Sequence, residues 1–311
     1  MGRYILQRFT HMIPVLFGVT LAVFLMLRLV PGDPATIILG ERATDERIAN
    51  LRHNLGLDQP VTVQYALFLG RMLRGDLGTS LLHRMPISQL ILERLPVTIM
   101  LVLYSGILSI LITVPVAMLA ALKRDTVIDH TLRGTFLVGL AMPNFWVGLL
   151  LVLLFSIRLR WFPVSGFGTT WLQHLRHLFL PALTITLYLS AMLTRSLRSS
   201  ILETMGQPFV MVARAKGLPE RLVLMRHVLR NSLISTVTIL GLSLGYLLGG
   251  SVVVETVFAI PGVGALMINA IYARDYPMVQ GITLIYAVLI ILANLITDIT
   301  YSFLDPRVRY D

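Results

Sequence analysis

The chain has 311 residues, of which 56% are hydrophobic, 14% are charged and none is cysteine. Soluble domains have about 25% charged residues, so this composition excludes an ordinary soluble protein and indicates an integral membrane protein. The net charge of +10 does not indicate nucleic-acid binding, because the cations flank apolar segments and do not alternate with aromatic residues.

Apolar windows long enough to cross a bilayer recur along the whole chain. A helix needs about 20 apolar residues to span the hydrocarbon, and six windows approach or exceed that length. They are residues 11–27 continuing to 30, 97–122, 134–157, 177–194, 231–254 and 276–297. The sequence therefore predicts one all-α transmembrane domain over residues 1–311, with six transmembrane helices.

Residues 31–96, between the first two windows, are predicted to form a helical cap on the outer face. Apolar residues follow helical spacing over residues 51–57, 61–73 and 87–95, and turn sequences separate these stretches. Whether this cap docks an external partner or is only a lid on the helix ends stays open at this point.

A seventh uncharged run, residues 256–273, is too interrupted to be a crossing. Pro261 and Gly262 would break a helix near its middle, because proline removes a backbone donor and clashes with the preceding turn. A turn followed by a short interfacial or re-entrant helix is predicted there.

The most basic segment, residues 195–230, lies between the fourth and fifth windows. Its seven cations against Glu203 and Glu220 make it too polar for a crossing. Gly217 is predicted to end one short helix and Pro219 to begin the next, since glycine is frequent past a helix end and proline at the first helical position. This pattern indicates a docking site for a soluble partner.

The distribution of Lys and Arg predicts that the N- and C-termini are both cytoplasmic. Fourteen cations lie on that side: two at the N-terminus, three in the loop 123–133, seven in the basic segment and two at the C-terminus. Only four lie in the short outer loops. The cations of residues 31–96 are not counted for either side, because loops beyond about 60 residues translocate regardless of charge. The first window is interpreted as an uncleaved signal anchor.

The chain has no evident energy source of its own. It lacks the Gly-x-x-x-x-Gly-Lys-Ser/Thr phosphate-binding motif, so it is not predicted to hydrolyse ATP. Ion-coupled transporters hold ionisable groups within the membrane, whereas Arg28 and Asp298 lie near window ends here and Glu255 follows one. We interpret these three as interfacial anchors or capping groups. We therefore predict that a separate partner protein supplies the energy and acts on the basic segment.

Residues 211–217 resemble the coupling loop, or EAA loop, of the permease subunits of bacterial ATP-binding-cassette (ABC) importers. Met211 and Val212 replace the Glu and first Ala of that signature, and Gly217 matches its glycine. The peptide and nickel permeases, particularly the first ("B") of their two permease subunits, resemble this chain along nearly its whole length. The matching segments are PGDP at 31–34, LGLDQP at 55–60, GDLG at 75–78, MPNFW at 142–146, GGSVVVE at 249–255 and LDPR at 304–307.

The resemblance implies a type I ABC importer permease fold in a bacterial inner membrane. It implies a second permease subunit, two cytoplasmic ATPase subunits, an external substrate-binding protein and a peptide substrate. The ATPase-coupling residues that it implies are Ala213, Arg214, Ala215, Lys216, Gly217, Leu218, Pro219, Glu220, Arg221 and Arg226. A nickel or other metal chelate and glutathione are alternative cargoes. An ion-coupled secondary transporter and a membrane enzyme are alternatives of other classes.

The fifth window has a glycine at every fourth position: Gly241, Gly245 and Gly249. Small residues on one helix face allow close helix packing in lipid, which is the first interpretation of this pattern. In the family the substrate path lies between the two permeases, so by resemblance Gly249, Gly250 and Ser251 are candidates to line it.

No cofactor, catalytic or metal site is predicted. His174 and His177 lie one helical turn apart, but neither a carboxylate nor a third histidine stands near them in sequence to complete a metal site. No serine-histidine pair or ligand set occurs within the windows, which disfavours a membrane enzyme.

Overall fold

The computed structural model describes residues 2–29, 36, 44–56 and 58–304, and within these ranges the regular structure is helical. The described residues of 1–95 and 266–288 form one compact unit, and those of 96–265 and 289–304 form a second. The prediction of an all-α chain is confirmed for the described part, whose only β feature is an isolated bridge between Thr79 and Pro86.

The helices are numbered here in chain order. They are α1 (Gly2–Leu29), α2 (Asp45–Leu55), α3 (Val61–Leu73), α4 (Ile87–Leu122), α5 (Val127–Ala141), α6 (Asn144–Leu151), α7 (Trp171–Met205), α8 (Pro208–Ala215), α9 (Glu220–Leu222), α10 (Arg230–Val257), α11 (Val263–Tyr272) and α12 (Tyr276–Leu304). Wider π-helical turns, Val152–Arg158 and Val223–Leu229, extend α6 and join α9 to α10.

The predicted separate helix at residues 87–95 is instead the beginning of α4, which continues through Pro96 to Leu122. That boundary in the prediction is wrong. Proline removes only one hydrogen bond of the ladder, and the helix is held on both sides of it by buried residues such as Ile91 and Val97. The predicted helix at residues 61–73 is confirmed as α3. The helix predicted at residues 51–57 is α2, which begins earlier, at Asp45, and ends at Leu55. Their place on the outer face stays a prediction.

Within the described residues, three unbroken helices are long and apolar enough to cross a membrane: Ile87–Leu122, Trp171–Met205 and Tyr276–Thr297. Two more crossings result if each bent pair is one span, namely Val127–Ala141 with Asn144–Arg158, bent by 108°, and Glu220–Ser243 with Leu247–Val257, bent by 62°. α1 contains a shorter apolar stretch, Met12–Leu25. Its predicted continuation to residue 30 lies outside the described residues, so the total of six stays a prediction.

The largest bend interrupts the predicted crossing at residues 134–157. α5 ends at Ala141, and Met142 takes an extended conformation (ψ 132°) before Pro143, since proline disfavours a helical residue in front of it. The predicted turn after α10 is confirmed, and α11 follows it.

Two buried clusters lie in the described part of the second unit. One lies among α4, α7 and α10, where Leu101, Leu189 and Leu247 are almost fully buried. The other surrounds the basic segment, where Ala117 of α4 and Leu197 of α7 pack with Val223. The second cluster fixes the position of α8.

Candidate functional site

The basic segment folds as two helices that meet at a tight turn. α8 begins with Pro208 at its first position after Gln207, which is extended. The helix ends at Ala215, and Gly217 has a φ of +75° with its N–H bound to the carbonyl of Arg214 at 2.9 Å. This confirms the predicted end of a helix at Gly217.

One detail of the sequence prediction is wrong. Pro219 is the residue before α9 and not its first residue. The turn lies within residues 213–221, which the resemblance implies to be ATPase-coupling residues, because the left-handed backbone of Gly217 cannot continue a helix. The regular helix of this segment is α8.

α8 has one buried face and one exposed apolar face. Val210 and Ala213 are buried in the cluster formed with α4 and α7. Phe209, Met211 and Val212 are 45%, 58% and 53% exposed. Ala213, which was expected to pack on an ATPase, therefore packs inside this chain. The apolar side chains that a partner could contact are those of Phe209, Met211 and Val212.

The cations around the turn lie at the surface. Arg214 donates to both Glu220 carboxylate oxygens, at 3.1 and 2.7 Å, and this hydrogen bonding raises the pKa of Arg214 above its ordinary value. Lys216, Arg221 and Arg226 are exposed. Ala215 and Pro219 are exposed as well, whereas Leu218 turns partly inward.

A buried ion pair that the sequence did not reveal joins α5 to α7. The carboxylate of Asp129 is fully buried and accepts from Arg198 Nε at 2.8 Å and Nη2 at 2.6 Å. The backbone N–H of Asp125 donates to the same carboxylate at 3.1 Å. The pair fixes the start of α5 to the half of α7 that leads into the basic segment.

The glycines of α10 divide into two groups. A side chain on Gly241 would collide with Thr297, and one on Gly245 would lie 3.1 Å from Ile290. These two glycines therefore allow α10 to pack closely on α12, as the spacing predicted. Gly249 is exposed with open space beside it, and Gly250 is half-buried.

Ser251, the third path candidate, is fully buried and points toward Glu255. Its hydroxyl donates to the carbonyl of Leu248 at 2.9 Å and lies 3.3 Å from Glu255 Oε1. A side chain engaged in this way does not line an open path in the described structure.

Glu255 is the centre of a closed polar cluster. Its carboxylate accepts from the Thr98 hydroxyl at 2.8 Å and from the Ala265 N–H at 3.0 Å. Thr98 in turn accepts from the Val263 N–H at 2.9 Å. Glu255 thereby caps the start of α11, which agrees with its interpretation as a capping group.

Two glycines leave space for that carboxylate. A side chain on Gly262 would overlap the carboxylate of Glu255, and one on Gly264 would lie 2.6 Å from the Cα of Val252 and 2.9 Å from Glu255 Oε2. The signal that could have identified the cluster is the combination of a glutamate with two closely spaced glycines soon after it.

His174 and His177 stabilise the loop before α7. Their Nδ1 atoms lie 2.9 Å from the carbonyl oxygen of Phe167 and 3.0 Å from that of Ser165, and the ring of His174 stacks on Phe167. Among the residues that the structure describes, no group of three or more metal-ligating side chains occurs.

Known structures share this fold. The chain superposes on two inward-facing crystal forms of the MetNI methionine ABC transporter with TM-scores of 0.59 and 0.57, at 15% and 16% identity, covering 70% of this chain and 97% of that chain in each case. At such low identity the similarity shows the fold alone, which is that of an ABC permease subunit.

Sequence relatives cover the whole chain. It is 40% identical over 316 residues to the oligopeptide transport system permease protein AppB of Bacillus subtilis, covering 100% of both proteins. It is 37% identical over 337 residues to the dipeptide transport system permease protein DppB of Escherichia coli K12, covering 100% of this chain and 99% of that one.

The family matches divide the chain in two. Residues 1–102 match the N-terminal family "Binding-prot-dependent transport system membrane comp, N-term". Residues 113–310 match the family "Binding-protein-dependent transport system inner membrane component". The chain thus belongs to the inner-membrane permease components of binding-protein-dependent ABC transport systems.

Proposed function

We propose that this chain is one of two permease subunits of an ABC importer for peptides, and that α8 with its Gly217 turn couples it to cytoplasmic ATPase subunits. The observation that carries the coupling role is the two-faced character of α8. Its buried face is fixed to the membrane helices through Val210 and Ala213, and its other face presents Phe209 and Val212.

A helix attached in this way can transmit a movement of a bound partner to the membrane helices. A rigid shift of α8 is transmitted to α4 and α7, because packed side chains in a close-packed cluster move together. The exposed apolar residues supply burial area for a partner, and Lys216, Arg221 and Arg226 supply charge for acidic groups on it. Arg214 is already paired with Glu220.

The cargo is proposed to be peptides because the relatives named above are oligopeptide and dipeptide permeases. Glutathione and metal chelates are less favoured for the same reason. An ion-coupled carrier is also less favoured, since the carboxylate of Glu255 is engaged by several donors and caps a helix.

The substrate path is proposed to follow the open side of α10 at Gly249 and Gly250, with the second permease opposite. Open space beside Gly249 supports this choice.

The proposed orientation is the one that the charge bias predicts, with both termini in the cytoplasm, residues 31–96 outside and residues 195–230 inside. An alkaline phosphatase fusion at Glu46 is expected to be active and one after Asp311 inactive, because alkaline phosphatase folds only outside the cytoplasm. An active enzyme at Asp311 would reverse the orientation.

The function is tested by reconstituting this chain with its partner permease, its ATPase subunits and its binding protein in vesicles. ATP-dependent uptake of labelled di- and oligopeptides is expected, together with ATP hydrolysis that increases when the loaded binding protein is added. Uptake of a nickel chelate or glutathione but of no peptide would contradict the proposed cargo. Uptake driven by an ion gradient without ATP would contradict the transporter class.

A further inference from the structure

Helix α3 lies beside α1 in the first compact unit, and aromatic side chains make the contact. The Tyr65 hydroxyl oxygen lies 2.8 Å from Thr20 Oγ1, and the Tyr65 ring is 5.7 Å from that of Phe17. One turn further along α3, the ring of Phe68 lies 5.7 Å from that of Phe24. The outer helix therefore packs on the apolar stretch of α1.

The position of these contacts along α1 indicates the depth of α3 in the membrane. In the sequence, Arg28 is the first charged residue after the apolar stretch, and the first charge after an apolar membrane segment marks the approximate headgroup level. Phe24 and Thr20 precede it by four and eight residues, which corresponds to about 6 Å and 12 Å along a helix. Helices that lie in a membrane interface bury their apolar side by about 5–10 Å, which is a similar depth.

The side of α3 that faces away from these contacts is also apolar. Val63 and Leu67 are four residues apart, share one helix face and are 41% and 50% exposed. Ala66 beside them is exposed as well. A helix with water on this side would carry polar residues there. The exposed surface of α1, which includes Ile13 and Val15, is apolar as well.

Charged groups lie only at the two ends of α3. Asp58 precedes the helix and pairs with His53 at 2.9 Å, while Arg71 and Arg74 lie at its end. The helix has 13 residues, fewer than the roughly 20 needed to span the bilayer. Charges at both ends of a short apolar helix fit a helix that lies at the membrane interface without crossing, with the two arginines able to bind lipid phosphates.

We propose that α3 lies in the outer interface of the membrane and that lipid acyl chains cover its face formed by Val63, Ala66 and Leu67. The segment 31–96 is then anchored to the bilayer beside α1 and does not stand wholly in water. This inference concerns the membrane contact of one helix and depends on the proposed orientation only for the choice of leaflet.

The absence of cysteine makes the test direct. Single cysteines at Val63 and Leu67 are labelled with an environment-sensitive fluorophore in the reconstituted full complex. Glu46→Cys, on the exposed polar helix α2, is the matched control. Quenching is measured with phosphatidylcholine that has a nitroxide high on its acyl chain, and separately with aqueous iodide.

Labels at Val63 and Leu67 are expected to be quenched several-fold more by the nitroxide lipid than by iodide, with the reverse at Glu46. Strong iodide quenching at both positions would place α3 in water and overturn the proposal. Quenching by neither agent would mean that a protein partner covers the face, which also overturns it. Ala66→Cys replaces either variant that fails to assemble, and none of these readings requires transport activity.

Discussion

The proposed coupling segment, α8 with its Gly217 turn, and the cluster around Glu255 both have a glycine beside a carboxylate, yet the two glycines have different roles. Gly217 has a left-handed backbone with open space around it, and its neighbour Glu220 is exposed. Gly264 has no room for a side chain, and Glu255 is fully buried among donors. The first glycine provides a backbone conformation and the second provides volume.

This difference separates exposed residues that a partner can contact from buried residues that stabilise the fold. Substitutions in the Glu255 cluster should lower stability, because no solvent or partner can replace the lost contacts. Side-chain substitutions on the exposed face of α8 should leave stability intact and change only the response to ATP.

Glu255→Ala is expected to cause the largest loss. It leaves the Thr98 hydroxyl and the Ala265 N–H buried without their acceptor, and each such orphaned donor costs about 1–3 kcal/mol. Thermal unfolding in detergent should show a clearly lower midpoint. Glu93→Ala, at an exposed glutamate of α4, is the control and should unfold like the parent. Equal midpoints for both variants would mean that the Glu255 cluster does not hold α11.

Asp129→Asn should cost somewhat less. The substitution removes the charge that pairs with Arg198, whose side chain is 16% exposed and so regains some hydration, and a loss of about 1–3 kcal/mol is expected. The same unfolding assay applies. Asp125→Asn is the control, since that exposed side chain pairs only with the exposed Arg124. A wild-type midpoint for Asp129→Asn would show that the buried pair is not a structural tie.

Val212→Asp should have the smallest effect on stability, within about 0.5 kcal/mol, because surface substitutions rarely exceed that value. ATP hydrolysis stimulated by the binding protein should nevertheless fall, since a charge replaces an apolar contact with the ATPase. Ala213→Asp is the informative neighbour. It places a charge in the buried cluster and should lower the unfolding midpoint. If Val212→Asp couples normally, the exposed face of α8 is not the contact.

Local chemistry made the coupling turn predictable, while long-range packing did not follow from the sequence. A glycine followed two residues later by proline indicates a helix end whatever surrounds it, so the stop at Gly217 could be anticipated. The partners of Asp129 and Glu255 lie 69 and 157 residues away, and only the folded arrangement of helices brings them together. Pro96 illustrates the same limit, since burial on both sides outweighed its tendency to break a helix.

The coupling role of α8 and its turn is tested most directly by the number of peptides imported per ATP hydrolysed in vesicles, compared between Gly217→Val and Gly206→Val. Gly206 lies in the same segment with a φ of −84°, which a side chain tolerates, whereas valine at Gly217 meets backbone strain of about 1–3 kcal/mol. We predict that Gly217→Val imports fewer peptides per ATP while Gly206→Val matches the parent. Equal ratios for all three proteins would contradict the account.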